Sequence, residues 1–198
     1  TLTTSSAASD VYKRQVLADL EGASAALVFS SGIAACTAPF HALKRGEQAL
    51  VSKTIYHGVL SFINEFAESW GISIDYFETG HLQDLEEKLV KGKTRLVWLE
   101  TPANPSWVVT DLEAAAKLAH ESGALLAVDS TAATPVLTRP LELGADLVCH
   151  SATKYLNGHS DVIAGFLAVR EPSLEIWRRI DEHRKFGGAI LGSMETYL

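Results

Sequence analysis

Residues 151–161, Ser-Ala-Thr-Lys-Tyr-Leu-Asn-Gly-His-Ser-Asp, set a single amine among hydroxyls and a glycine, between an apolar run at 147–149 and another that begins at Gly165. An amine at the end of a strand can condense with an aldehyde, and the hydroxyls of Ser151 and Thr153 beside it can donate hydrogen bonds to a phosphate. Taken alone, Lys154 would equally be a solvated loop lysine among turn formers.

It has company. Val128-Asp129-Ser130-Thr131 ends a nearly continuous apolar run with an acid. A carboxylate there can pair with a protonated pyridine nitrogen, although a strand-exit aspartate is also a common helix cap or Asx turn. Phe29-Ser30-Ser31-Gly32-Ile33-Ala34-Ala35 is a glycine-bearing turn that enters a stretch of small and apolar residues. Its free N–H groups and positive dipole end make Ser31, Gly32 and Ile33 candidates for a phosphate cradle, the plainer alternative being an ordinary N-cap. Tyr56 offers a ring for stacking or for packing. Asn104, between Pro102 and Pro105, is either a turn former or a polar contact to a ligand. An imine-forming amine, a carboxylate for a ring nitrogen and a phosphate cradle together describe a site for pyridoxal 5′-phosphate.

Positioning such a site requires a sheet. Runs at 48–51, 72–77, 95–99, 125–128, 147–149 and 165–169 read as strands, and 33–43, 59–70, 82–89, 111–122 and 173–186 carry apolar residues at helical spacing. Gly46, Gly71 and Gly123 stand where several of these helices should close. The alternation predicts an α/β domain, a mainly parallel sheet with helices on both faces, whose ligand site lies at the carboxyl ends of the strands. A Rossmann-type nucleotide binder fares worse, because no G-x-G-x-x-G turn follows any of these strands.

With 198 residues and 47% hydrophobic content, the chain supports one substantial core. Acidic residues outnumber basic ones by 24 to 17, for a net charge of -7, which leaves no basic stripe for nucleic acid. Cys36 and Cys149 lack the spacing of a zinc site or a disulfide framework, and no apolar stretch approaches the ~20 residues of a bilayer span. The expectation is a soluble, cytoplasmic protein that binds no metal, membrane or nucleic acid. Residues 1–9 show no apolar period, and 10–15 match what one reading frame of a common sequencing-library transposon end encodes. Residues 1–15 are therefore expected to be a disordered or non-native tail. The run that begins at Ser193 stops inside a helix, so 16–198 reads as an incomplete domain.

These segments resemble the Cys/Met-metabolism family of pyridoxal-phosphate enzymes, which includes cystathionine γ-synthase, cystathionine γ-lyase and methionine γ-lyase. Leu20-Glu21-Gly22-Ala23, Phe29 to Gly32, Glu100-Thr101-Pro102-Ala103-Asn104-Pro105, Val128 to Thr131, Leu143-Gly144-Ala145-Asp146-Leu147-Val148 and Ser151 to Gly165 follow in family order across 17–198. The resemblance implies the large domain of fold type I, with Lys154 holding the cofactor as a Schiff base and Asp129 on its ring nitrogen. It further implies that Tyr56 stacks on the ring and protonates a leaving group. Gly32 and Ile33 would bind phosphate through backbone N–H, Ser151 and Thr153 through hydroxyls, and Asn104 would sit beside O3′ or the substrate carboxylate. The implied chemistry is γ-elimination or γ-replacement on a sulfur amino acid or activated homoserine, in a homodimer or homotetramer. A β-lyase or desulfurase of the same fold type, or a cofactor-binding piece without activity, are the alternatives.

Two departures stand out. Tyr12-Lys13-Arg14 fits the family's short phosphate-binding pattern but lies too close to Phe29 and lacks the usual Asn-Pro-Thr, so it is read as a false match. The small domain that supplies the arginine for the substrate carboxylate is not found in the sequence. His57 also stands where glycine commonly follows the tyrosine.

Overall fold

The computed structural model describes residues 2–198, with side chains from Val11 onward. Fifteen elements alternate along the chain: α1 (Leu2–Glu21), β1 (Ala25–Phe29), α2 (Gly32–His41), β2 (Gln48–Ser52), α3 (His57–Trp70), β3 (Ser73–Phe77), α4 (Leu82–Lys88), β4 (Thr94–Glu100), α5 (Leu112–Ser122), β5 (Leu125–Asp129), α6 (Thr134–Leu137), β6 (Leu147–His150), β7 (Gly165–Val169), α7 (Glu175–Phe186) and α8 (Ser193–Tyr197). The strands form one sheet in the order β1-β7-β6-β5-β4-β2-β3. The pairs β2–β3, β2–β4, β4–β5 and β5–β6 are parallel, while β7 runs antiparallel to both β1 and β6. The expected mainly parallel sheet is the one observed.

Helices cover both faces because the strands are apolar on both. Ala49, Val51, Leu96, Trp98, Ala127, Leu147 and Cys149 face a core shared with α2, α3 and α7, where Phe40 packs on Trp98 at 5.3 Å between ring centroids. Leu50, Val97, Leu99, Leu126, Val128 and Val148 alternate with them and point into a second core with α4 and α5. Asp146 knits the strand starts together, accepting from the Leu126 N–H at 2.8 Å and pairing with His120 at 2.8 Å and Arg170 at 2.7 Å.

Element ends follow the chain's chemistry. Asp111 caps α5 by accepting from the Ala114 N–H, and Gly71 and Gly123 close α3 and α5 with φ of 71° and 82°. Gly46 does not close α2 as expected, since that helix ends on Ala42 before reaching it. β1 and the short α6 were not expected from the sequence, and the last turns of α1 dock through buried Ala18 and Glu21. Thr1 and the side chains up to Asp10 lie outside the described residues. Among the described residues, no helix is long and apolar enough to cross a membrane.

Candidate functional site

Three adjacent parallel strands bring their carboxyl ends to one place. β4 ends on Glu100 and β5 on Asp129, which are register partners, and Asp129 in turn lies opposite Cys149 of β6. The start of α2 reaches the same edge. Ser31 caps it by accepting from the Ala34 N–H at 3.2 Å. Gly32 lies against Ser151 so closely that a Cβ there would fall 2.7 Å from both Cβ and Oγ of Ser151, so only glycine lets the helix start approach the lysine turn. Gly165 does the same on the other side, where a Cβ would stand 2.1 Å from the Ser31 carbonyl oxygen. The structure thus brings the two stretches proposed to hold a phosphate into contact.

Asp129 is buried and anchored by one oxygen. Its Oδ1 accepts from the Thr131 N–H at 3.0 Å and from the Thr131 hydroxyl at 2.6 Å, and the Thr131 oxygen accepts the Ser151 N–H at 2.8 Å. Thr131 therefore ties the carboxylate to the turn that carries Lys154. Among the described residues, Oδ2 has only the Cys36 sulfur, at 3.5 Å, and that sulfur lies 3.0 Å from Cys149 Sγ. Both thiols are held above their ordinary range. For Cys36 the cause is first its hydrogen bond with Cys149 and then burial, and for Cys149 it is burial. They stay neutral beside Asp129.

Glu100 was overlooked in the sequence, although it meets the test applied to Asp129, an acid closing a buried strand. Its Oε2 accepts the Tyr56 N–H at 2.6 Å and its Oε1 accepts the Asn104 N–H at 2.9 Å. Burial, and then the charge of Asp129, push this carboxyl up to about 7, against the pull of the two N–H groups. Tyr56 is 55% exposed and its ring lies over Gly58, where a Cβ would meet Cε1 at 2.6 Å. His57 beside it is exposed and contacts Ser61 Oγ at 3.3 Å.

The lysine turn is closed by its own backbone. The Lys154 N–H donates to the Ser151 carbonyl at 3.0 Å, and the Gly158 N–H donates to the Lys154 carbonyl at 2.8 Å, which leaves the lysine side chain exposed. The Thr153 hydroxyl is engaged by backbone in this arrangement. Its hydroxyl donates to the Ala164 carbonyl at 3.1 Å and accepts the Ala164 N–H at 3.0 Å. Ile33, at 36% exposed, sits on the first turn of α2. Beneath the turn, the fully buried His150 Nε2 and Glu21 Oε1 meet at 2.5 Å, joining α1 to the end of β6.

A model of the Cys/Met metabolism PLP-dependent enzyme family matches residues 7–198. The chain belongs to that family. It is 36% identical over 184 residues to the cystathionine beta-lyase MetC of Bacillus subtilis, 39% over 183 residues to the L-methionine gamma-lyase of Fusobacterium nucleatum, and 37% over 185 residues to human cystathionine gamma-lyase. These matches cover 91–93% of this chain and 45–46% of the relatives, so the chain spans about half the length of the curated relatives it matches. The crystal structure of metB from Corynebacterium glutamicum superposes with a TM-score of 0.89 at 36% identity, over 96% of this chain and 49% of that one. Pyridoxal 5′-phosphate is the cofactor of this family of PLP-dependent enzymes. The residues present suit that group: a helix start stripped of a Cβ beside a serine hydroxyl, an exposed amine on the next turn, and a carboxylate with one oxygen free of nitrogen and oxygen partners among the described residues.

Proposed function

We propose that the protein carrying this chain uses pyridoxal 5′-phosphate to eliminate or replace the γ-substituent of a sulfur amino acid or an activated homoserine. The observation that carries this reading is the convergence of Asp129, the Ser151–Lys154 turn and the start of α2 at the carboxyl ends of β4, β5 and β6. In this reading, Lys154 Nζ holds the cofactor covalently and Asp129 Oδ2 pairs with the ring nitrogen. The N–H groups of Gly32 and Ile33, with the hydroxyls of Ser31 and Ser151, take the phosphate, and Thr153 joins them by turning its proton away from Ala164. Tyr56 covers the ring, and Asn104 lies beside O3′ or the substrate carboxylate. Residues 16–198 then form the cofactor-binding large domain.

When bound, the cofactor supplies an electron sink for charge that develops on the substrate. The protein's own groups move the protons. In this reading the Lys154 amine would carry a proton between substrate carbons, and the Tyr56 hydroxyl would protonate the departing group. Two neutral thiols that form no disulfide suit a cytoplasmic setting, and the intact protein would assemble as a homodimer or homotetramer. The relative named as a beta-lyase supports β-elimination as the second reading. Incubating the intact protein with L-cystathionine separates the two. α-Ketobutyrate as the keto acid is expected from γ-elimination and pyruvate alone would move the assignment to β-elimination, while cofactor-loaded protein that releases neither acid and also fails to join cysteine to an O-acylhomoserine would refute both.

A further inference from the structure

Glu100 is a buried acid to which the reading above gives no task. It belongs to β4, but its partners are backbone groups of two separate loops. One oxygen accepts the N–H of Tyr56, at the start of α3, and the other accepts the N–H of Asn104, in the loop that leaves β4. The side chain itself is firmly placed, because β4 is buried from Leu96 to Glu100 and Glu100 pairs in register with Asp129.

We propose that Glu100 is a positioning residue, one carboxylate that sets Tyr56 and Asn104 at a fixed separation from each other and from Asp129 by accepting both of their backbone N–H groups. The inference rests on the proposed roles of Tyr56 and Asn104 toward the cofactor. Its chemistry is specific to a carboxylate. Two N–H donors converge on one side chain, and only an acceptor on both oxygens satisfies the pair. An amide of the same shape keeps one acceptor and turns an NH2 group against the second donor, so one loop is released. The position of the tie matters because Tyr56 is 55% exposed, so its backbone anchor helps to set where the ring lies.

The experiment compares the unmodified protein with Glu100→Gln, which preserves volume and should fold. Hydrogen exchange resolved to single amides is measured without cofactor at about pH 8.5, where the Glu100 carboxyl is ionised, and then pyridoxal 5′-phosphate affinity and the circular dichroism of the bound cofactor are recorded. In Glu100→Gln, the Tyr56 or Asn104 amide should exchange roughly ten- to hundredfold faster, with α5 amides unchanged, as expected for a lost hydrogen bond to a charged acceptor. The cofactor's dichroic band should shrink and its affinity fall about tenfold or more. Unchanged exchange at both amides would overturn the tie. Freed amides with a wild-type dichroic band and affinity would overturn the positioning role. Failure of the functional reading looks different, since the unmodified protein would then show no cofactor attached at Lys154.

Discussion

Replacing Gly32 with alanine tests the contact on which the proposed phosphate cradle depends. The added Cβ would sit 2.7 Å from Cβ and Oγ of Ser151 and 3.0 Å from its Cα. Ordinary carbon contacts are about 3.5–4.0 Å, so the helix start and the lysine turn must part by about 1 Å. A rotamer change in Ser151 cannot relieve this, because one of the atoms met is backbone. That backbone is pinned by the Ser151 N–H on Thr131 Oγ1 at 2.8 Å and by the Lys154 N–H on the Ser151 carbonyl at 3.0 Å. Overpacking of this kind costs roughly 1–3 kcal/mol, and the stiffer unfolded chain of an alanine variant returns about 0.4–1 kcal/mol, for a net loss centred on about 1.3 kcal/mol and at most about 2.6. A functional constellation tolerates displacements of about 0.5 Å, so moving the α2 N–H groups twice that far from the Ser151 hydroxyl should weaken cofactor binding roughly ten- to hundredfold. The assays are a spectrophotometric titration with pyridoxal 5′-phosphate and the urea midpoint of unfolding. A variant that matches the unmodified protein in both would refute the close approach and the cradle built on it.

Acid should loosen the α2–α7 contact. His41 stacks on His183 at 3.8 Å, and burial followed by the neighbouring His183 hold its pKa down to about 3. The unfolded chain takes this proton near the usual 6.5 and the folded chain does not, so stability present above that pH is lost as pH falls from about 6.5 toward 3. Burial lowers His183 as well, so the two rings together are bounded by about 2.8 kcal/mol per pH unit, and their partial exposure should keep the slope well under that limit. His41→Phe should flatten that part of the stability profile in urea titrations, and an unaltered slope would contradict the assignment. Glu21→Ala strips the buried His150 of its partner at the end of β6 and should cost about 3 kcal/mol of unfolding free energy. A loss under about 1 kcal/mol would show that the pair is not holding α1 against the sheet.

What the sequence disclosed depended on whether a residue's task is local. Lys154, Ser151 and Asp129 announce themselves through side-chain type at the end of an apolar run, and the structure joins them through Thr131. Glu100 stayed hidden because its partners are backbone N–H groups, one of them 44 positions away at Tyr56, and no pattern of residue types marks such a bond. The Gly32–Ser151 contact is hidden for the same reason, since it exists only once the sheet is assembled. The alternation of elements was plain in 48–169, but the reversal of β7 follows from the connection at 151–164, which holds no crossover helix and so returns the chain antiparallel. The helical turns just before β1 were hard to read because, among the described residues, they bury only Ala18 and the paired Glu21 in place of a wide apolar stripe.

The covalent role of Lys154 is tested most directly by reducing the cofactor-loaded intact protein with borohydride and mapping the digested peptides by mass. The account predicts one pyridoxyl phosphate increment on the peptide containing Lys154, absent in Lys154→Ala. An increment on a different lysine, or none on any peptide, would contradict it.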